Sequence, residues 1–220
     1  DSLVYWDRSS SDTCSIFSCD PGYSVSNVAS LGGAVGTLTN QVNLLDSTNL
    51  DGASSMTLSP DGKNVYAVGF ASDSIVHWDR DSTTGALSNQ VNLIDSTNLN
   101  EPVSVTVSPD GKNVYAVGRK SDSIVCWDRD SATGALTNQV NLIDSTNLDG
   151  VNSVFVSPDG KNVYVVAYIS DSIVHWDRDS ATGALSNQIN LIDSTNLDDA
   201  FSVVVSPDGK NVYAAAGSSD

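Results

Sequence analysis

Ser59-Pro60-Asp61-Gly62-Lys63-Asn64-Val65-Tyr66 decides the fold, because the same eight residues, SPDGKNVY, return at Ser108, Ser157 and Ser206. The step is 49 residues each time. A fixed period of that size marks an array of one supersecondary unit. A residue that recurs in every unit builds the unit. A residue that differs between units is free for another task.

The unit reads outward from this turn. Ser55-Met56-Thr57-Leu58 alternates as a short strand. Pro60 presets φ, Asp61 bonds local backbone, and Gly62 takes the position that needs conformational freedom. Val65-Tyr66-Ala67-Val68 forms a second strand and Ser74-Ile75-Val76-His77-Trp78-Asp79 a third. Asp81-Ser82-Thr83-Thr84-Gly85 is another turn signal, followed by a more polar strand over residues 87–94. Four short strands per unit, without helical periodicity, predict an all-β chain of four-stranded antiparallel blades, a β-propeller. A parallel β-solenoid competes less well, because its coils are shorter than this period. The small, aliphatic first strand belongs at the centre and the polar fourth strand outside.

The phase of the repeat divides the chain. Asp1-Ser2-Leu3-Val4-Tyr5-Trp6-Asp7-Arg8 matches Asp73 to Arg80, a third strand, and the final residues finish a second strand. The expected organisation is one domain, 1–220, in units 1–50, 51–99, 100–148, 149–197 and 198–220. That makes four blade equivalents, one of them split. The halves could join within the chain, between two chains, or head to tail in a larger ring or filament. The sequence begins with Asp1, not Met, and reads as a mature form or a segment of a longer array.

Residues 9–37 interrupt the first half-blade and hold Cys14 and Cys19, whose spacing suits a local disulfide and an oxidising compartment. Cys126 sits where other units carry Tyr5, His77 and His175, so it reads as a packing thiol. The chain has 220 residues, 40% of them hydrophobic, enough for a sizeable core. Net charge is −17, which opposes contact with nucleic acid and anionic membranes, and no membrane-inserted segment is expected. No Asn-x-Ser/Thr sequon occurs. The Asp-, Ser- and Thr-rich composition predicts an extracellular protein, secreted or at the cell surface.

SPDGKNVYAVG, then SDSIVxWxRDxxTGAL, then a polar strand and LDGAxS together resemble the repeat of the lactonase-like β-propeller family. That family includes the bacterial-type 6-phosphogluconolactonases and many secreted repeat proteins. The resemblance covers essentially all of the chain except the insertion. It implies the propeller fold and, usually, seven blades, from which four is a departure. It also implies, for an enzyme, His, Glu and Arg converging once each on the central channel.

The residues themselves supply little of such a set. His77 and His175 share a repeat position, and Glu101, the single Glu, lies in a connecting loop. No nucleophile elbow, zinc motif or phosphate-binding glycine loop occurs. Arg80, Arg129 and Arg178 recur after Trp-Asp and are expected to pair with neighbouring Asp at the blade edge. Asp79, Asp81, Thr83 and Gly85 resemble half of a calcium loop but lack its closing Glu, so they read as a turn. No catalytic residue, metal site or cofactor is predicted.

Variation between units is concentrated in two connections: residues 70–71, 119–120, 168–169 and 217–218, and residues 51–54, 100–103, 149–152 and 198–201. Both emerge on the same face of a propeller. The predicted contact face is Phe70, Glu101, Arg119, Lys120, Tyr168 and Ile169. The functional expectation is a non-enzymatic extracellular structural module that assembles through unpaired edge strands. Its partners would be copies of itself, with glycans or other extracellular matrix proteins beside them. One alternative is a lectin-like propeller using Trp6, Trp78, Trp127 and Trp176. A further alternative is a sugar lactonase.

Overall fold

Every described element in the computed structural model is a β-strand, and each falls where the repeat places it. The structure describes residues 2–8 and 38–217. The insertion, the Cys14–Cys19 pairing and the Trp6 ring lie outside what is described. A first sheet pairs β1 (Ser2–Arg8) with β2 (Leu38–Leu45). Three full blades follow, each antiparallel and in sequence order. They are β3 (Ala53–Leu58), β4 (Asn64–Gly69), β5 (Ser74–Arg80) and β6 (Leu87–Ile94); β7 (Pro102–Val107), β8 (Asn113–Gly118), β9 (Ser123–Arg129) and β10 (Leu136–Ile143); and β11 (Val151–Val156), β12 (Asn162–Ala167), β13 (Ser172–Arg178) and β14 (Leu185–Ile192). A last sheet pairs β15 (Ala200–Val205) with β16 (Val212–Ala216). Sheets β1–β2 and β15–β16 remain separate and do not merge into one blade.

The turn that fixes each blade closes on itself. The Ser59 hydroxyl donates to Asp61 Oδ1 at 2.6 Å and accepts from the Asn64 amide at 3.0 Å. The Gly62 amide donates to the Ser59 carbonyl at 2.8 Å, with Gly62 at a φ of 68°. The outer turn works alike: Asp81 Oδ1 accepts from the amides of Thr83 and Thr84, each at 2.8 Å. That is the turn role expected for this aspartate.

The innermost strands β3, β7, β11 and β15 face one another in order around the centre. Second strands β4 and β8 are buried along their whole length and β12 along most of it, whereas β16 is exposed. Outer strands β6, β10 and β14 are mostly exposed. The core therefore lies between blades. One cluster joins Tyr115, Val117 and Ile124 of one blade to Val154, Val163, Val174 and Trp176 of the next.

A polar latch accompanies each apolar seam. Arg129, at the end of β9, reaches back into the preceding blade. Its Nη2 donates to both Asp61 oxygens at 3.1 Å and to Asn64 Oδ1 at 2.6 Å, and its Nε donates to the Tyr66 hydroxyl at 2.9 Å. The Tyr66 hydroxyl in turn donates a hydrogen bond to the Gly134 carbonyl at 2.7 Å. A Cβ at Gly134 would lie 2.3 Å from Asn64, so only glycine admits this approach. Arg178 repeats the latch on Asp110, Asn113 and Tyr115. The expected Arg–Asp pairing is thus present, but it runs between blades.

Candidate functional site

Repeat-breaking residues mark the site. Of the ten Lys and Arg, eight recur at fixed repeat positions; Arg119 and Lys120 are the two that do not. Arg119 opens the loop between β8 and β9, at the position held by Phe70 and Tyr168 in the flanking blades. The loops place these three side chains in a row. The guanidinium carbon of Arg119 lies 5.7 Å from the Phe70 ring centroid and 5.6 Å from that of Tyr168. A cation set against aromatic faces is attracted by the ring quadrupoles. Arg119 Nη2 also donates to Asn152 Oδ1, and Asn152 Nδ2 donates to the Ala200 carbonyl at 3.1 Å. The Nε of Arg119 is buried and makes no hydrogen bond among the described residues.

Two carboxylates break the repeat in another way. The residue just before each innermost strand adopts a left-handed backbone: Gly52 (φ 68°), Glu101 (53°), Gly150 (69°) and Asp199 (56°). Two units use glycine, which bears no penalty there; two place an acid instead. A non-glycine residue in this region carries roughly 1 kcal/mol of strain, which the recurring Asp73, Asp122 and Asp171 also bear at another position of the unit. Glu101 pairs with Lys120 at 3.7 Å, an exposed contact worth little. The Arg119 amide donates to the Glu101 carbonyl at 3.0 Å, which ties the two variable connections together.

Arg119, Asn152, Tyr168, Asp199, Phe201 and Gly217 line a cleft of about 410 Å³. It combines one buried-stem cation, an amide, a phenol, a carboxylate and an exposed aromatic ring. Of the residues the sequence names for its contact face, Arg119 and Tyr168 line this cleft, and Phe70 lies against the Arg119 guanidinium. Ile169 is exposed at 54% and lies outside the cleft lining, as do Glu101 and Lys120. Asn152, Asp199 and Phe201 were not singled out. Their signal was present in the alternation Asp51-Gly52, Asn100-Glu101, Asp149-Gly150, Asp198-Asp199.

Other candidates resolve as scaffold. His77 is buried, and desolvation lowers its pKa against the pull of Asp79. His175 contacts Asn162 at 3.0 Å and stacks on Tyr164. Burial pushes the Cys126 thiol up to about 11, so it is not a thiolate at neutral pH. Among the described residues no His, Cys, Asp and Glu gather as a metal site. Trp78, Trp127 and Trp176 are each 2% exposed, with their indole stems packed between blades. A buried ring offers no face to a sugar, so these three tryptophans do not serve the lectin-like alternative.

The family model described as "Lactonase, 7-bladed beta-propeller" matches residues 31–148. No curated protein sequence matches the chain. Among solved structures, a candidate 6-phosphogluconolactonase of Bacteroides uniformis aligns at TM-score 0.64 and 22% identity, over 82% of this chain and 55% of that one. A second, from Bacteroides fragilis, aligns at TM-score 0.63 and 18% identity, over 74% and 47%. The periplasmic gluconolactonase of Pseudomonas aeruginosa aligns at TM-score 0.62 and 20% identity, over 76% and 48%. At these identities the likeness is one of fold. The chain spans about half the length of these structures.

The family match, with lactonases as structural neighbours, overturns the expectation of a non-enzymatic extracellular structural module. The physical reason for the error is local. An enzyme of this kind was expected to carry His, Glu and Arg once each in the central channel, whereas this cleft is lined by loop residues that replace glycine and aromatic positions of the repeat.

Proposed function

Because the chain belongs to the lactonase, seven-bladed β-propeller family, we propose that it opens sugar lactones by hydrolysis in the cleft around Arg119. The observation that carries this reading is the Arg119 guanidinium. It is pinned between Phe70 and Tyr168, its buried Nε makes no hydrogen bond among the described residues, and it opens onto a cleft that also holds Asp199.

In this reading the lactone carbonyl oxygen faces Arg119, whose charge stabilises the oxyanion formed when water adds to the carbonyl carbon. Asp199 takes the proton from that water. The ring C–O bond then breaks, the proton passes to the departing alkoxide, and a hydroxy acid leaves. Tyr168 and Phe201 provide flat apolar walls for the sugar ring, and Asn152 holds the guanidinium in register. The blade count remains part of the proposal: four blade equivalents, the first and last contributed as halves. We also assign the protein to an oxidising, extracellular compartment on the Cys14 and Cys19 spacing.

The test is ring opening of glucono-1,5-lactone and 6-phosphogluconolactone, followed by acid release at constant pH. Turnover above the spontaneous rate supports the reading. Rates equal to the protein-free control for both lactones contradict it.

A further inference from the structure

We propose that the recess between blades β7–β10 and β11–β14, floored by Cys126, binds a small imidazole-class ring whose N–H turns to Asp128. The site is separate from the Arg119 cleft and does not rest on the lactonase reading.

Both blades that border the recess are complete four-stranded sheets. Its volume is about 250 Å³. Ile124 and Cys126 of β9, with Val140 and Leu142 of β10, form the floor, and Leu185 of the next blade closes one side. Register explains the floor. Cys126 lies opposite Val140 and Ile124 opposite Leu142, so all four side chains share one face of the sheet. Asp128 and Asn138 supply a polar edge, where Asn138 Nδ2 donates to Asp128 Oδ2 at 2.7 Å.

The preceding seam, between β3–β6 and β7–β10, identifies the occupant. Nine of the ten residues that line the recess are identical there at the same repeat positions. The exception is Cys126, where that seam has His77. The His77 ring fills its place: the residue is 4% exposed, and its ring centroid lies 5.6 Å from that of Tyr66. With the smaller Cys126 the same surroundings open. Cys126 is half-buried, and Ala184 is exposed where Ala135 is half-buried. A smaller side chain in a packed seam leaves a space whose shape is that of the missing group. A small molecule of matching shape and chemistry can fill such a space. Here the missing group is an imidazole.

The third unit shows where the ring nitrogen goes. His175 stands at the same repeat position, and its Nε2 lies 3.9 Å from Asp177 Oδ1. Asp128 is the counterpart of Asp177. Its Oδ1 accepts from Asn113 and its Oδ2 from Asn138. A carboxylate offers about four acceptor sites, so one remains for an incoming N–H. Its charge also complements a protonated ring. Burial, and then the Asp128 charge, push the Cys126 thiol up, so the floor is a neutral thiol and the association is non-covalent. The Gly183 carbonyl accepts from the Tyr115 hydroxyl at 2.8 Å and lies 3.8 Å from Cys126 Sγ. Tyr115 belongs to the Arg178 latch, so an occupant braces the latched seam.

The test is titration of imidazole into the full chain, followed by methyl NMR and by thermal unfolding. Saturable shifts are expected at Ile124, Val140, Leu142 and Leu185, with a Kd of ~1–10 mM. The unfolding midpoint should rise with imidazole concentration. Cys126→His, which restores the residue of the flanking units, should abolish both effects and keep the circular dichroism of the wild type. Asp128→Asn should weaken binding about threefold to tenfold. His77→Cys should open a second saturable site, reported by Val91 and Leu93. Shifts that stay linear with concentration, binding that persists in Cys126→His, indifference to Asp128→Asn, or a His77→Cys variant without a second site would each overturn the proposal.

Discussion

The guanidinium of Arg119 stands 5.6 Å from the centre of the Tyr168 ring, in the adjoining blade, and the two together form one wall of the central cleft. A cation–π contact of this kind contributes about 1 kcal/mol. Tyr168→Phe keeps the ring and is expected to leave lactone turnover near wild type. Tyr168→Ala frees the guanidinium and is expected to lower kcat/KM about fivefold, read in parallel steady-state assays.

Asp199 combines a catalytic assignment with a strained backbone, so the two roles separate by substitution. Asp199→Asn keeps the shape and removes the base; kcat is expected to fall by about 10² to 10⁴ with KM little changed. Asp199→Gly removes both base and strain. It should be equally inactive but more resistant to thermal unfolding, since glycine accepts a φ of 56° without penalty. An active glycine variant would remove Asp199 from the mechanism.

The fold was legible because the repeat carries its own instructions. SPDG specifies the first turn, DxxTG the outer turn, and the alternation between them the strands. What the sequence hid is relational. Arg129 follows Trp127-Asp128, and its near neighbours in sequence suggest a local partner; the structure sends it to Asp61, 68 residues away. The cleft was half legible. Arg119 and Tyr168 stood out as variable loop residues, but their stacking depends on the rotation between blades. Asp199 was masked by its abundance, one aspartate among 26 in an acidic chain. It shares its left-handed backbone with Asp73, Asp122 and Asp171, and its place in the cleft, which sets it apart, is not written in composition.

The latch makes a stability prediction. Arg178→Ala leaves Asp110, Asn113 and the Tyr115 hydroxyl without their shared donor. Removing one partner of a buried polar network costs about 3 kcal/mol. Thermal or denaturant unfolding should show that loss, whereas Lys112→Ala, on an exposed side chain, should stay within about 0.5 kcal/mol of wild type.

Acid should open the same latch. Partial burial works against ionisation of Asp61, but the Ser59 hydroxyl, the Lys63 amide and Arg129 outweigh it and hold the carboxyl at about 2, below its ordinary 3.8. Asp110 is lowered in the same way, with burial again opposed by Ser108, Lys112 and Arg178. A carboxyl with a depressed folded pKa stabilises fully above its unfolded value. That contribution is lost as pH falls from 3.8 towards about 2. Denaturant midpoints measured across this window should decline with acid, and Asp61→Asn should flatten the decline.

The most direct test of the account is kcat/KM for sugar-lactone opening by the wild-type chain and by Arg119→Ala, measured against the spontaneous rate. The account predicts catalysis by the wild type and a loss of about 10² to 10³ on removing the guanidinium. Catalysis that survives Arg119→Ala undiminished, or a wild-type rate no faster than water alone, would contradict it.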